Sequence, residues 1–375
     1  MGRALPLCTK LIPPLVSPRT QRISRVRAIV LAATVQLLLT ACTDGGQTAE
    51  LNDYLQRLSR PLGIDAMQAQ VLMTSRPPRA EALRIPLDGG KLDGLDFLRL
   101  RGCALQQTVA KRNSSLGRVA PPSQRLLMEL AFLRDAPPCI ETLLADGREG
   151  LARIIRDSVT LKRSQLPALI FNATLGNREY RDFWRARQAP EDYPKQTSSL
   201  VITALEQVTA DAARWLSGDY RADETRFELA LSDIARGDGG ELLDALSKQA
   251  AYLKAADVLI DQRITAGPLC TDNTQSTAAP ILRTVVGKFF VERIQVRGAD
   301  LNQRYYQLTK PITQLESLLG GALTSDYQIW LEDRRMQLQM GIGAPRQHVD
   351  QLQQLLGTCY AEFSSEPVPD TAKRD

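Results

Sequence analysis

Apolar residues in this chain recur at intervals of three and four, and almost nowhere at intervals of two. Leu51, Tyr54, Leu55 and Leu58 follow i, i+3, i+4, i+7. The same stripe returns at Leu126, Leu127, Leu130 and Leu133, at Val201, Leu205, Val208, Ala212 and Trp215, at Leu243, Leu246, Ala250 and Leu253, and at Val349, Leu352, Leu356 and Cys359. Such spacing lines one face of a helix, whereas a half-buried strand needs alternation. Residues 82–88 are the one short extended candidate. The expected fold is therefore all-α: a bundle-like body of about ten to fourteen helices, built as one elongated domain or two packed helical halves.

Punctuation sets the expected boundaries. Pro61 and the pair Pro137-Pro138 read as helix stops, with Ser123 and either Ser198 or Ser199 as N-caps. The stretch Gln188–Thr197, with Pro190 and Pro194, separates an N-terminal half (49–187) from a C-terminal half (198–363). A second irregular stretch, Ala266–Pro280, holds Cys270, and the tail 364–375 is expected to be disordered.

The N-terminus carries an address. Six basic and no acidic residues precede Ala28; an apolar run then reaches Leu39, and Leu39-Thr40-Ala41-Cys42 follows. A basic region, a short apolar region and small residues before a cleavage point make a secretory signal. The run is shorter than the roughly 20 residues a spanning helix needs. The last four residues resemble the lipobox of bacterial lipoproteins. That resemblance implies a signal peptide at 1–41, a lipidated Cys42 and a tether at 42–48. Thr43 in place of Asp implies sorting to the outer membrane, with the body facing the periplasm.

Loss of that signal changes the charge. The full chain is +5, but residues 43–375 with Cys42 hold 41 basic against 42 acidic side chains. No nucleic-acid partner is expected from such a balance. Four cysteines remain, Cys103, Cys139, Cys270 and Cys359. In an oxidising compartment they suggest two disulfides, and pairing Cys103 with Cys139 and Cys270 with Cys359 keeps each within one half. A zinc site is the rival reading, disfavoured by the absence of C-x-x-C spacing and by a single histidine. No metal or cofactor is expected.

Two connectors share the pattern N-x-[ST]-L-G: Asn113–Gly117 and Asn172–Gly176. Read structurally, the Asn and hydroxyl groups satisfy a helix end and the glycine takes a left-handed position. Read functionally, the two connectors meet and form a pocket. Between Phe97 and Met128 lie Arg99, Arg101, Lys111, Arg112, Arg118 and Arg125, without one acid. If Arg112 and Arg118 converge, with Asn113 and Ser115 as hydrogen-bond partners, they suit an anionic group such as a lipid phosphate or a peptidoglycan carboxylate. The plainer reading is scattered charge paired with acids elsewhere.

The segments Leu95–Cys103, Arg112–Arg118, Pro121–Leu127, Phe171–Gly176 and Gly287–Phe290 resemble the gammaproteobacterial lipoproteins of the domain of unknown function 3080 family. The resemblance runs along most of the chain after Cys42. It implies a periplasm-facing lipoprotein and supplies no catalytic residues.

Familiar catalytic patterns are missing. The sole histidine, His348, sits in a polar stretch and reads as a solvated residue near a helix start. H-E-x-x-H, the P-loop and dinucleotide fingerprints are absent. Paired carboxylates for sugar hydrolysis need only spatial proximity. Glu316-Ser317 echoes the Glu-Ser pair of some lytic transglycosylases, but lacks the glycine-rich pattern downstream and reads as a solvated helix face. The expectation is a non-enzymatic envelope protein that binds a partner protein or an anionic envelope component. The alternative is a carboxylate-based peptidoglycan hydrolase.

Overall fold

A computed structural model describes residues 46–88, 100–190, 192–270, 276–357 and 359. The signal, Cys42, Arg99 and the tail expected at 364–375 lie outside them. Among the described residues every regular element is helical. The elements are α1 (Gln47–Leu62), α2 (Ala80–Leu83), α3 (Leu105–Asn113), α4 (Ser115–Arg118), α5 (Pro122–Ala145), α6 (Glu149–Ala173), α7 (Arg178–Phe183), α8 (Leu200–Leu216), α9 (Glu224–Ala235) and α10 (Gly239–Ala266). Then come α11 (Ala278–Val285), a π-helical stretch (Val286–Gln295), α12 (Val296–Leu318), a 3₁₀ turn (Gly320–Ala322) and α13 (Ser325–Gly357). Of residues 82–88, expected to be extended, 82 and 83 belong to α2 and 84–88 form no strand.

The stripes read from the sequence point inward and build two cores. The first joins α3, α5 to α9, the start of α10, α12 and the first half of α13. The second joins α1, the far part of α10 (Leu253–Ile260), α11, the π stretch and the end of α13. The helices α10 and α13 pack along each other and run through both cores. Their close approach needs Gly341, where a Cβ would lie 2.5 Å from the Leu246 side chain. The division therefore does not follow Gln188–Thr197, because α1, though first in sequence, completes the second core.

One expected helix stop holds and one fails. The helix α1 ends at Leu62, one residue after Pro61, whereas α5 runs through Pro137 and Pro138 to Ala145. Each internal proline deletes one backbone hydrogen bond and clashes with a carbonyl, at a cost of about 3 kcal/mol. In α5 the buried side chains Leu133, Ala136, Cys139 and Leu143 continue across the pair. Cys139, the next residue, is covalently tied to Cys103. Burial and a crosslink thus hold the helix where its own ladder is interrupted. Ser123 does not cap α5, whose N-cap position is Pro121. At α8 the Ser198 hydroxyl does receive the Leu200 N–H.

Both disulfides are present, Cys103–Cys139 and Cys270–Cys359, spanning 36 and 89 residues. Loop closure on that scale stabilises by about 4 and about 5 kcal/mol. Each crosslink borders a different core.

The π stretch was not legible in the sequence. Phe290 and Ile294 are buried, and Gly298, another four residues on, is buried at the start of α12. The stretch contains Gly287-Lys288-Phe289-Phe290 and presses Phe290 against Tyr54, ring centroids 5.8 Å apart.

Candidate functional site

Four places among the described residues stand out for the chemistry their side chains bring together. Two are sealed inside the cores and two open to solvent.

The first sealed network lies in the first core. Glu316, expected on a solvated face, is buried and accepts two bonds from the Arg334 guanidinium at 2.8 and 3.0 Å. The Tyr327 hydroxyl donates to the same carboxylate at 2.7 Å. Arg334 is sandwiched between Trp184 and Trp330, 4.6 and 4.7 Å from the ring centroids. Burial, with the Glu316 charge adding, pushes the Tyr180 phenol beside them up to about 12. The aromatic walls and the bidentate pair fill the space that a substrate would need. The expectation failed because a buried acid needs a partner 18 residues away, which local spacing does not reveal.

The second sealed network holds the histidine. His348 is fully buried in the interior of α13, neither solvated nor at a helix start. Burial, with Asp257 adding, holds the Tyr54 phenol well above its usual range, so its hydroxyl keeps its proton. That hydroxyl lies 2.5 Å from His348 Nε2, and His348 Nδ1 lies 2.5 Å from Asp257 Oδ1. A usable signal did exist: Ala344, His348 and Leu352 are spaced by four on the buried stripe of α13.

Two of the four basic residues from Lys111 to Arg125 find acids, while Arg125 donates to the Arg118 carbonyl. Arg112 lies 3.0 Å from Glu129, and Lys111 lies 3.6 Å from Glu224. The buried Lys162 also pairs with Glu129, and burial lowers its ammonium from the usual lysine range. Asn113, Ser115 and Arg118 are exposed. Neither Gly117 nor Gly176 is left-handed. Each is needed for close approach instead: a Cβ on Gly117 would lie 2.2 Å from the Lys111 carbonyl, and one on Gly176 would lie 2.9 Å from the Phe171 ring.

The second connector does line a pocket, but with the head of α5 rather than with Asn113–Gly117. This polar pocket, about 280 Å³, is bordered by Arg84, Ser123, Asn172, Arg178 and two acids, Glu81 and Glu179. Asn172 builds it by acting as a strand would: its Oδ1 accepts the Ile85 N–H and its Nδ2 donates to the Ile85 carbonyl, both at 2.9 Å. That clamp fixes the backbone that carries Arg84. On the other side Asn177 donates to the Ala173 carbonyl at 2.7 Å and caps α7 through the Tyr180 N–H, fixing Arg178.

Three features of this pocket await a partner. Arg84 is exposed and makes no ion pair or hydrogen bond among the described residues. Arg178 has only a 3.6 Å contact to Asp182 and is 85% exposed. The 24-residue α5 opens on the pocket with prolines at its N-cap and first position, so its first-turn N–H groups have no side-chain cap. Ser123, in that turn, is 8% exposed and its hydroxyl has no partner among the described residues.

A family model described as a protein of unknown function, DUF3080, matches residues 51–362. The chain belongs to that family. No curated protein matches the chain, and no solved structure does. In this DUF3080 chain the match spans both cores and both disulfides. No helix among the described residues is long and apolar enough to cross a membrane.

The other open place of the DUF3080 chain is a cleft of about 330 Å³ under the connector that was expected to divide the halves, with Tyr193, Asp233, Asp238 and Glu241 in its walls. Arg304 holds Asp238 in a bidentate grip at 2.5 and 3.0 Å, and Tyr193 donates to it at 2.8 Å. Burial pushes the Glu241 carboxyl up, and the Arg187 guanidinium 3.5 Å away opposes it only in part. Glu241 Oε2 has no hydrogen-bond partner among the described residues.

Proposed function

We propose that this chain is an outer-membrane lipoprotein, held by lipid on Cys42, whose helical body binds an envelope component bearing a carboxylate. The observation that carries the binding reading is the pocket at the head of α5. Two arginines without strong partners, an uncapped helix start and the unpartnered Ser123 hydroxyl surround one polar space. Guanidinium groups and helix N–H groups both favour anions. Glu81 and Glu179 on the same rim favour an ammonium beside that carboxylate. A peptidoglycan stem peptide carries both groups. Two disulfides in a body of this size support an oxidising compartment.

The test is co-sedimentation of the full-length protein, in detergent, with purified peptidoglycan sacculi. Wild type is expected in the pellet, with retention at least tenfold lower for the double variant Arg84→Ala/Arg178→Ala. Arg112→Ala and Arg118→Ala are expected to leave retention near wild type, since those residues lie outside the pocket. Equal retention of the double variant and wild type overturns the site. Retention by anionic phospholipid vesicles in place of sacculi overturns the stem-peptide ligand. An alkyne fatty acid fed to the producing cells is expected to label the protein and not Cys42→Ser.

The cleft around Glu241 favours a second reading. A carboxyl pushed up by burial, near an Asp238 gripped by Arg304, puts two carboxyl groups in unlike surroundings, as glycoside hydrolysis by an acid and a base requires. Release of soluble muropeptides from the same sacculi, abolished by Glu241→Gln, is what that reading requires.

A further inference from the structure

Five methionines fall within the described residues; four of them are exposed, and two of these, Met67 and Met340, line one groove. Met67, Met73, Met336 and Met340 are 44, 88, 55 and 41% exposed, whereas Met128 is 6% exposed in the first core. A flexible apolar side chain usually fills gaps in a core. Here four are left in water.

Their arrangement follows from two elements. Met336 and Met340 are four residues apart on α13, so their side chains share a face with Cβ atoms about 6 Å apart. The irregular segment after α1 crosses α13 beside them and is pinned by Gln337. The Gln337 Oε1 accepts the Ser75 N–H at 3.0 Å, and its Nε2 donates to the Met73 carbonyl at 3.3 Å. This brings Met73 to the turn of α13 that carries Met336 and Met340. Met67, earlier on the same segment, lines with Met340 a groove of about 280 Å³ over α10.

We infer that this methionine cluster is a binding site for a soft monovalent metal ion of the copper(I) or silver(I) type. Thioether sulfur is a soft, neutral donor that selects such ions over harder divalent ones. The groove wall offers no carboxylate, histidine or thiol to a harder ion. Its remaining polar side chains include Gln68, Gln70, Gln337 and Lys254. Lys254 is exposed, and its long stem lets the ammonium turn to water while the methionines close. One pair of sulfurs sits on a long helix and the other on a segment without regular structure. An ion can therefore draw the second pair onto the first without rearranging either core.

The experiment is a titration of the full-length protein, labelled with ¹³C at the methionine methyls, with silver nitrate in chloride-free buffer. Silver is redox-inert and reads the soft-ion chemistry alone. The chain has six methionines, so Met1 and Met128 serve as internal references. The Met67, Met73, Met336 and Met340 methyl signals are expected to shift together and saturate at one ion per chain, with the references unmoved. Zinc at the same concentration is expected to move none of them. Met67→Leu/Met340→Leu, which keeps volume and apolarity, is expected to weaken silver binding at least tenfold with unchanged circular dichroism. Three results overturn the site: no shift at one equivalent, references that shift in step with the cluster, or a double variant that binds as wild type. A groove that ignores silver but shifts with lysophospholipid is an acyl-chain groove, which also overturns the assignment.

Discussion

The two cores follow one plan and seal it differently. Each is a set of helices around α10 and α13, each is bordered by one disulfide, and each encloses a polar network that includes an aromatic hydroxyl. In the first, Glu316 and Arg334 form a charged pair that is buried on both sides and walled by Trp184 and Trp330. In the second, a neutral phenol and an imidazole lead to Asp257, which keeps 17% of its side chain in water. The first network has no route for charge to escape; the second has one. That difference makes the first core the less forgiving when one partner is removed.

The largest effect is therefore expected at Arg334. Arg334→Met leaves Glu316 as an unpaired carboxylate in an aromatic enclosure, which costs about 3–5 kcal/mol. The pair itself is a different matter, since desolvating both charges offsets most of their attraction. Glu316→Leu/Arg334→Met is expected to recover most of that loss. Equilibrium denaturation of the two single variants and the double variant gives the coupling directly. A double variant as unstable as Arg334→Met alone would mean that shape, not charge balance, sets the cost.

His348→Leu tests the other side of the comparison. The substitution keeps apolar bulk between Tyr54 and Phe290 but leaves the Tyr54 hydroxyl without its hydrogen-bond partner. An orphaned buried hydroxyl costs about 1–3 kcal/mol, and Asp257 still reaches water. The expected loss is about 2 kcal/mol, smaller than at Arg334. Hydrogen exchange is expected to place it in α1, the π stretch and the end of α13, with the first core spared. A loss as large as that of Arg334→Met would erase the distinction between the two networks.

How much of this was legible in the sequence depends on range. The stripes at Leu51–Leu58, Leu126–Leu133, Val201–Trp215 and Leu243–Leu253 appear as read, because a helix face is written within a few residues of itself. The cysteine pairing also appears as read, because only three pairings exist. What failed was long-range. Pro137-Pro138 reads as a stop locally and is overridden by the Cys103–Cys139 crosslink and continuing burial. Glu316 and His348 look solvated among polar neighbours, yet their partners Arg334, Tyr54 and Asp257 arrive from other helices. The pocket was half legible: the pattern at Asn172–Gly176 marked it, whereas the partner connector at Asn113–Gly117 proved to be elsewhere. Arg84 and Ser123 carried no local signal, since nothing in their spacing says that Asn172 clamps Ile85.

A second acid sharpens the contrast inside the first core. Glu316 has both oxygens on Arg334, but Glu241, at the start of α10, has only a 3.5 Å contact to Arg187 and one oxygen without a partner. Burial is the main cause that raises its carboxyl above the ordinary value of 4.5. Between that value and the raised one, the native state binds more protons at Glu241 than the unfolded state does. Stability contributed by this group is thus fully present below pH 4.5 and is lost as pH rises through the folded pKa. Glu241→Gln removes the titration while keeping the shape. The variant is expected to match wild type at pH 4 and to gain on it by pH 7, by less than the His348→Leu loss. Urea denaturation at the two pH values reads this difference. A variant that loses ground as pH rises would show that Arg187 holds the ionised carboxylate in the fold, and Glu241 would then resemble Glu316 after all.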